Sequence, residues 1–548
     1  MPKNYTNWTE KQLIEEIKKL NKRKKYGIVW EDKPEQVAEL CKEKLPVLVE
    51  VKDKEIETDE NKPVNIFIEG DNYHALSVLN YTHNASMDVI YIDPPYNTGA
   101  KDWKYNNNYV DENDTYRHSK WLSMMQKRLI LARRLLKRNG VLIVTIDDYE
   151  LFGLLGLLDE IGAKSLGHVC ICIKPEGRRQ SEYIMEAHEY ALFVTWGKPV
   201  MRGLNVDFGL DFPEKDEVSK FRWEGLMRRD STREDRGSSY WYPFYVSKDG
   251  KLSVTKKDGY SEVWPINTKG IERVWLWDKE RASQNLQQIK AVVRKERITI
   301  YYKRREMGRV KPTSFWHGSK YNANAYGTRV LSSILPNNTF DYPKSVYSVL
   351  DCIDIFLPKN GTVLDFFAGS GTTAHATLLL NKSDNGSRKF ILCTNNENRI
   401  AEDVCYPRIK KVIEGHKDYP DMTNIKGNLK YFRTDFVDAE PTDRNKKKLV
   451  DKSTEMLCLK EECFDEVKKG HDFRIFKNVQ KKYLGIVFDD EGINEFKKAV
   501  KRMNTKIIVY VFSLDDSARE EEFEDISDLV ELKPIPAVIL NVYKRIFR

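Results

Sequence analysis

Short apolar runs alternate with longer amphipathic stretches along most of the chain. The runs Met87–Asp93 and Gly140–Ile146 are strand-sized, and the stretch from Thr115 to Arg138 between them has the spacing of an amphipathic helix. The same alternation resumes over residues 340–414. Strands that are separated by helices pair in parallel, so the pattern predicts an α/β fold, a Rossmann-like sheet with helices on both faces.

A segment without this rhythm interrupts the α/β pattern. Residues 200–335 are rich in Arg, Trp, Tyr, Gly and Ser and contain only short β-like runs. We therefore predict one α/β domain that is split by an inserted domain. The predicted parts are an N-terminal helical arm at 1–60, the two halves of the α/β domain at 61–199 and 336–437, the insert at 200–335, a linker at 438–450 and a C-terminal α/β domain at 450–548.

Positive charge is concentrated in the insert. The whole chain has a net charge of +8, whereas residues 281–330 alone contain 12 Lys and Arg against two Asp and Glu. Residues 221–330 also contain 17 Phe, Trp and Tyr. Cations that alternate with aromatic rings are typical of a nucleic-acid surface, although charge alone leaves a solvated basic face equally open. Trp275 and Trp277 are expected in the core of the insert. The candidate nucleic-acid contacts are Arg294, Arg297, Arg304, Arg305 and Arg309.

Several classes of protein are excluded by what the sequence lacks. No apolar run approaches the roughly 20 residues that cross a bilayer, and the first residues contain no signal-peptide core, so we expect a soluble intracellular protein. The eight cysteines include no C-x-x-C pair, which predicts reduced thiols and no structural metal. We find no Walker A lysine motif and no nuclease constellation in the sequence.

The first loop whose residues suit ligand binding or catalysis is Asp93-Pro94-Pro95-Tyr96, directly after a predicted strand. Ligands of open α/β sheets bind beyond the carboxyl ends of strands. Consecutive prolines fix φ and lack N–H groups, so a carboxylate and free carbonyls are presented to an amino group. Tyr96 adds a flat face for a planar base. A proline turn with an aspartate cap is the alternative for any one of these features.

The second loop runs from Asp365 to Thr373 and includes Gly369 and Gly371 between a strand and a helix. Glycines allow close approach of a ligand to the backbone, and the helix N-terminus favours an anion. It is neither a P-loop nor G-x-G-x-x-G, because residue 374 is Ala and no Lys follows the second Gly. We expect Asp365 to hold a ligand's ammonium group and Glu397 to reach a ribose hydroxyl.

Together the loops resemble the amino-group DNA methyltransferases that use S-adenosylmethionine. Asp93–Tyr96 is similar to their catalytic motif and Phe367–Gly371 to their cofactor motif, and this order, with an insert between, resembles the β class. The resemblance spans about residues 25–440 and is closest to the modification (Mod) subunits of type III restriction–modification systems. Further segments that carry it are Tyr26–Glu31, Glu69–Asn72, Pro265–Ile266, Lys311–Trp316, Asp341–Lys344, Thr394–Asn398 and Tyr431–Arg433.

The resemblance implies methyl transfer from S-adenosylmethionine to the N6 atom of an adenine that is flipped out of duplex DNA. Asp rather than Ser at position 93 favours adenine over cytosine N4. The resemblance implies that the insert is a target-recognition domain. The implied partners are double-stranded DNA, a second copy of the chain through the C-terminal domain, and a separate restriction subunit. The implied location is the cytoplasm. The implied catalytic residues are Asp93, Pro94, Pro95 and Tyr96, and the implied cofactor-binding residues are Asp71, Asp365, Phe367, Gly369, Gly371, Thr372 and Glu397.

Three alternatives stay open at this point. In the first, the enzyme methylates the N4 atom of cytosine. In the second, its substrate is RNA. In the third, the chain is a DNA specificity subunit without catalytic activity. An intact Asp93–Tyr96 loop argues against the last.

Overall fold

The structure is a computed structural model of the 548-residue chain. It describes every residue except 1–7, 23–29, 107, 112, 178–182, 205–212, 237, 295–296, 306–307, 339, 418, 515–516 and 548. The chain forms two compact units, residues 1–204 with 311–548 and residues 205–310. We call them the catalytic unit and the insert unit.

The first part of the catalytic unit contains α1 (Glu10–Lys22), α2 (Gln36–Glu43), β1 (Lys44–Glu50), β2 (Val64–Glu69), α3 (Asn72–Thr82), β3 (Met87–Ile92), β4 (Ala100–Tyr105), β5 (Asn108–Asp111), α4 (Arg117–Leu135), β6 (Leu136–Ile146), α5 (Leu151–Glu160), β7 (Lys164–Cys172) and β8 (His188–Thr195). The insert unit contains β9 (Glu214–Lys215), β10 (Lys220–Gly225), β11 (Met227–Thr232), α6 (Arg233–Arg236), β12 (Phe244–Val246), β13 (Leu252–Ser253), β14 (Ser261–Val263), β15 (Arg273–Trp275), α7 (Lys279–Gln284), β16 (Ile289–Arg294) and β17 (Arg297–Arg305).

The chain then returns to the catalytic unit with β18 (Phe315–Trp316), α8 (Arg329–Ile334), α9 (Val346–Asp354), β19 (Thr362–Asp365), α10 (Thr372–Asp384), β20 (Lys389–Thr394), α11 (Tyr406–Glu414) and β21 (Asn428–Asp438). The C-terminal part contains α12 (Asp443–Asp451), α13 (Thr454–Glu461), β22 (Asp465–Lys469), β23 (Phe473–Lys477), β24 (Tyr483–Val487), α14 (Ile493–Met503), β25 (Ile507–Phe512), β26 (Val530–Ile535) and α15 (Ala537–Phe547).

A ten-stranded mixed sheet organises the catalytic unit, in the order β1-β21-β2-β20-β19-β3-β6-β8-β7-β18. The six strands from β21 to β6 are parallel to one another, and β1 and β8 flank them in antiparallel pairing. This confirms the predicted α/β fold. The strand after the insert, β19, pairs directly with β3, so the two halves of the split domain form one sheet.

Alternate residues of the central strands enter two separate cores, as the period of two requires. Ile90 and Ile92 of β3 lie in one core, whereas Val89 and Tyr91 lie in the other. Helices α3 and α4 cover the first face and α9, α10 and α11 the second. Burial on both faces explains why these strands read as continuous apolar runs rather than alternating ones.

The domain boundaries predicted from sequence differ from those of the structure. The predicted arm at 1–60 includes β1, which pairs with β21 in the main sheet, and the predicted linker at 438–450 is mostly the helix α12, with Leu449 and Val450 buried. The C-terminal strands form their own sheet, β22-β23-β24-β25-β26. One face of that sheet shares a core with α3, and Tyr543 of α15 donates to the carbonyl oxygen of Pro46.

The insert unit is shorter than predicted. It spans 205–310 rather than 200–335, because β18 pairs with β7 and α8 packs in the second core of the main sheet. Trp275 and Trp277 are buried in the core of the insert unit, which confirms their prediction. The long hairpin β16–β17 pairs with β10 to give its largest sheet. Among the described helices of the whole chain, none combines the length and apolar character that a bilayer span requires.

Candidate active site

Both loops singled out in the sequence lie at the carboxyl edge of the parallel strands. The strands β2, β20, β19 and β3 are neighbours in the sheet, and all four end at this edge. Ile90 of β3 is paired with Leu364 of β19, so Asp93 and the loop after Asp365 leave adjacent strands at nearly the same height. The two candidate motifs, which are far apart in the sequence, therefore follow adjacent strands of the sheet.

Asp93 is fixed by side chains from two other segments. The hydroxyl group of Thr145, on β6, donates to Oδ1 of Asp93 at 2.8 Å, and the ammonium group of Lys344 lies 3.1 Å from the same oxygen. The Asp93 side chain keeps 28% of its surface exposed. The carboxylate is thus oriented from the protein side while it remains accessible to a ligand.

Lys344 connects Asp93 with Tyr96 and with a buried glutamate that the sequence did not single out. Its Nζ lies 2.6 Å from Oε2 of Glu189 on β8, bonds to the Tyr96 hydroxyl and sits 4.5 Å from the centre of the Tyr96 ring. The Tyr96 hydroxyl in turn donates to Glu189 at 3.1 Å. Burial lowers the pKa of Lys344, but the carboxylates of Asp93 and Glu189 outweigh that effect, so the net pKa is raised and the ammonium stays charged.

The same environment keeps Tyr96 neutral. Burial, with Asp93 and Glu189 nearby, raises the pKa of its phenol well above the ordinary value. Glu189 is 1% exposed, and within the described residues its Oε1 atom has no hydrogen-bond partner. Buried carboxylates persist when they are paired, so Lys344 is what makes Glu189 tolerable in this site.

The proline pair presents one carbonyl to the site and uses the other to anchor the loop. Trp121 of α4 donates its Nε1–H to the Pro95 carbonyl at 2.7 Å. In the described part of the chain the Pro94 carbonyl accepts no hydrogen bond from a protein group. Asn97 follows with a left-handed φ of 59°, held by hydrogen bonds with Glu150 and Trp103. Hydrogen bonds with Trp121, Glu150 and Trp103 therefore anchor the loop, and its free acceptors lie on Asp93 and Pro94.

The side chain of Asp365 forms its hydrogen bonds within its own loop. Its Oδ1 accepts the Phe367 amide at 2.9 Å and its Oδ2 accepts the Thr373 hydroxyl at 2.5 Å, and the side chain is buried. Burial raises the pKa of this carboxyl from 3.8 to about 7, although both hydrogen bonds oppose the change. In this arrangement Asp365 shapes the loop, and the direct ligand contact expected from sequence stays a prediction.

Gly369 and Gly371 have φ angles of 50° and 79°, so both occupy the left-handed region that glycine adopts without strain. A Cβ atom on Gly369 would stand 3.3 Å from the Phe340 ring, and one on Gly371 would stand 3.1 Å from Sγ of Cys405. Thr372 begins α10 directly afterwards. The sequence prediction of a tight glycine turn at a helix start is confirmed.

A fully buried arginine supports this turn from below. Arg408 of α11 donates to the carbonyl and hydroxyl oxygens of Ser370 at 3.2 and 3.0 Å and to the Thr372 hydroxyl at 2.9 Å. Burial lowers the pKa of Arg408 to about 10, and burial with the Arg408 charge lowers the pKa of its neighbour His375 to about 3. Arg408 therefore holds the loop with neutral partners, which the sequence did not predict.

Two further predicted residues flank the loop. Asp71 accepts the Tyr73 amide at 2.7 Å as the N-cap of α3 and lies 3.5 Å from Arg128, and the adjacent Asn72 donates to the Phe366 carbonyl at 3.0 Å. Glu397 follows β20 and forms an ion pair with Lys104 of β4. Both carboxylates thus border the edge where the glycine turn lies, on neighbouring strands.

The five candidate arginines divide into different environments. Arg304 pairs with Glu224 at 2.8 Å, and Arg305 binds both oxygens of Asp216 at 2.7 and 2.9 Å and also Gln288. These two hold the hairpin to its neighbours, and their role as DNA contacts stays a prediction. Arg294 and Arg297 are exposed at the hairpin end, and Arg309 is half-buried.

The residues that sequence reasoning missed had weak signals. Lys344 lay in the segment Asp341–Lys344, whose resemblance carried no chemistry, and Glu189 was a single acid in the apolar strand β8. Arg408 is one of three cations in the sequence of α11. Only the folded chain shows that these three side chains are buried beside the two loops.

The fold and the site define a Rossmann-like enzyme that binds its ligands at the carboxyl edge of a parallel sheet, with a glycine turn on one strand and an acid–proline–tyrosine loop on the next. Residues 87–403 match the model of the N6/N4 DNA methylase family. The chain belongs to this family and is a DNA methyltransferase.

Similar proteins include the type II methyltransferase M.KpnI of Klebsiella pneumoniae, which is 32% identical over 379 residues, covering 67% of this chain and 88% of that protein. The EcoPI Mod subunit of a type III restriction–modification enzyme, from Escherichia phage P1, is 30% identical over 62% of this chain and 59% of its own length. The crystal structure of M1.HpyAVI matches with a TM-score of 0.30 and 13% identity over 63% of this chain and 96% of that one.

Proposed function

We propose that this chain methylates the N6 atom of adenine in duplex DNA at a specific sequence, with S-adenosylmethionine as the methyl donor. The observation that carries the proposal is the arrangement of Asp93, Pro94 and Tyr96 beside the glycine turn of the neighbouring strand. A carboxylate at position 93, rather than a hydroxyl, favours adenine over cytosine by the family resemblance.

The glycine turn fits a cofactor of this kind. Gly369 and Gly371 keep the backbone open where a Cβ atom would contact Phe340 and Cys405, and the start of α10 favours a carboxylate. S-adenosylmethionine supplies an activated methyl group on a sulfonium, so the protein needs to contribute binding and orientation. Asp71 and Glu397 border the turn, and we assign these two carboxylates to binding the polar groups of the cofactor.

The catalytic loop orients the amino group of the target base. Its lone pair is delocalised into the ring, so it becomes a better nucleophile when both hydrogens are held out of the ring plane. Asp93 accepts one hydrogen and the Pro94 carbonyl accepts the other, while Thr145 and Lys344 keep the carboxylate in place. Tyr96, held by Lys344 and Glu189, presents its ring to a base that has left the duplex.

Proposed partners follow from the relatives rather than from the site. The chain spans 88% of the type II methyltransferase M.KpnI but 59% and 55% of the EcoPI and StyLTI Mod subunits of type III restriction–modification enzymes. We propose a Mod-like role in the cytoplasm, as a homodimer that works with a separate restriction subunit. Light scattering of the purified chain measures the oligomeric state.

Single-molecule sequencing of DNA from cells that express the chain tests the proposed function. We expect N6-methyladenine at one sequence context, absent from cells that carry the empty vector. Methylcytosine at a defined site instead would assign the cytosine-N4 alternative, and an unmodified genome with a well-folded protein would favour the silent specificity subunit.

Asp93→Ala tests the assignment of the catalytic loop. We expect methyl transfer to fall by roughly 100-fold or more, because one of the two acceptors for the amino group is lost. Binding of S-adenosylmethionine should persist, since the glycine turn lies on another strand. Transfer at the wild-type rate would contradict the assignment.

A further inference from the structure

The hairpin of β4 and β5 follows the catalytic loop and reaches the segment that comes after β20. Lys104 of β4 forms an ion pair with Glu397, which lies three residues beyond the end of β20. In the main sheet, β19 lies between β3 and β20. Because the hairpin leaves the end of β3 and contacts a residue beyond β20, it passes the carboxyl end of β19, where the glycine turn begins.

The hairpin is anchored to the catalytic unit on both sides of this ion pair. Trp103 is buried in the first core, and its Nε1–H donates to Oδ1 of Asn97 at 2.9 Å. Val110 of β5 packs in the same core. At the turn of the hairpin, Asn106 accepts the amide of Gln36, the first residue of α2, at 2.7 Å. The hairpin therefore has a defined position beside the catalytic loop, and Lys104 lies between its anchors.

Lys104 occupies only one of the two oxygens of Glu397. Its ammonium contacts Oε1, and among the described residues Oε2 accepts no hydrogen bond. The side chains of Lys104 and Glu397 are 31% and 34% exposed. The ammonium also lies 4.5 Å from the centre of the ring of Tyr109, its cross-strand partner in the hairpin. Glu397 is thus oriented through one oxygen, while the other is free to accept a hydrogen bond from a ligand.

The backbone directly after Glu397 adopts an unusual conformation. Asn398 and Arg399 have φ angles of 51° and 59°, so two consecutive residues other than glycine lie in the left-handed region. Arg399 donates to both oxygens of Asp403 at 2.7 and 3.1 Å, and a short π-helix follows at Ile400–Cys405. Left-handed residues of this kind and π-helical turns concentrate at functional sites. They are an indication, independent of the ion pair, that Glu397 belongs to a binding site.

We propose that Lys104 is a positioning residue for the cofactor. It fixes one oxygen of Glu397, leaves the other to accept a ribose hydroxyl, and keeps the hairpin across the glycine turn while the cofactor is bound. The inference rests on the proposed function, in which Glu397 binds polar groups of S-adenosylmethionine. Because Trp103 bonds to Asn97, the same hairpin joins the cofactor site to the catalytic loop.

Cofactor binding by the full-length protein tests the proposal. The variants are Lys104→Met, which removes the ammonium, and Lys104→Arg, which keeps a positive charge. The matched control is Lys389→Met, because Lys389 is 30% exposed and pairs with Glu462 at the opposite, amino end of β20. Calorimetry measures the affinity for S-adenosylmethionine, and a chase of labelled by unlabelled cofactor measures its dissociation rate. Hydrogen exchange of the hairpin amides is compared with and without cofactor.

We expect the cofactor to dissociate roughly 5- to 10-fold faster from Lys104→Met, because a charge-assisted contact that holds the site closed is lost. The KM for S-adenosylmethionine should rise by a similar factor, whereas kcat at saturating cofactor and the KM for DNA should stay near wild type. Lys104→Arg should recover most of the affinity. Bound cofactor should slow exchange of the hairpin amides in the wild-type protein, and less so in Lys104→Met.

A double-mutant cycle shows whether Lys104 acts through Glu397. In a Glu397→Gln background, we expect Lys104→Met to cause little further loss of cofactor affinity. Unchanged affinity in Lys104→Met, or an equal loss in Lys389→Met, would overturn the proposal. Tighter binding would also overturn it, because Lys104 would then compete with the cofactor for Glu397. A wild-type protein that binds no S-adenosylmethionine would count against the proposed function instead.

Discussion

The substitution Asp365→Asn tests whether Asp365 shapes the cofactor loop or binds the cofactor directly. In the structure both carboxylate oxygens accept hydrogen bonds from the loop, from the Phe367 amide and the Thr373 hydroxyl. An asparagine retains this pattern, because its carbonyl accepts the amide and its NH₂ group donates to the hydroxyl oxygen. We therefore expect cofactor affinity to change by less than about tenfold.

The pH dependence of stability gives the sharper measurement. Burial raises the pKa of Asp365 from 3.8 to about 7 in the folded protein. Between these values the unfolded chain has released a proton that the folded chain keeps, so this group's contribution to stability is present below pH 4 and is lost as pH rises to 7. A tenfold change in proton affinity is worth about 1.4 kcal/mol, so the loss is on the order of 4 kcal/mol.

Thermal unfolding of wild type and Asp365→Asn between pH 4 and 8 tests this reasoning. We expect the midpoint of the variant to rise relative to wild type by several degrees from pH 4.5 to pH 7 and then to level off. Asp53→Asn, at an exposed position, is the control and should show no such trend. A difference that does not vary with pH would refute the buried, protonated carboxyl. A cofactor affinity reduced by more than about 100-fold would support the direct contact predicted from sequence.

Three further changes test the supporting residues. Lys344→Met leaves the Glu189 carboxylate buried without its cation, so we expect a loss of roughly 3 kcal/mol in stability and a partial recovery in Lys344→Met/Glu189→Gln, both measured by thermal unfolding. Arg408→Met removes the donors under the glycine turn and should weaken cofactor binding about tenfold, measured by calorimetry. Arg294→Ala should lower DNA affinity and reduce the number of ions released on binding, read from the salt dependence, by about one. Arg305→Ala breaks the pair with Asp216, so it should destabilise the insert unit with little change in the salt dependence of binding.

Each of these has a result that would contradict it. A single Lys344 variant as stable as the double variant would show that Glu189 does not depend on the ammonium. Unchanged cofactor affinity in Arg408→Met would mean that the glycine turn holds its shape without support. A lower salt dependence of DNA binding in Arg305→Ala would show that Arg305 contacts a phosphate as well as Asp216.

Local patterns were enough to predict the sheet and the two loops. Strand β20 begins and ends at the residues predicted from its apolar run, and the glycine turn has the positive φ angles that its sequence implies. These features depend on burial and backbone conformation within a few residues of chain. Boundaries were less well predicted, because the apolar residues of β1, β18 and α12 complete cores that are formed by distant segments.

The sequence by itself determined the fold class and the family, and it predicted the chemistry of Asp93–Tyr96, because each depends on residue type and short spacing. Tertiary structure alone decided which charged groups serve the site. Glu189 and Lys344 are 155 residues apart in the chain but form one ion pair beside Tyr96, and Arg305 pairs with Asp216, 89 residues away. An ionisable side chain acquires its role from the partners and the burial that folding provides, and neither can be read from its neighbours in sequence.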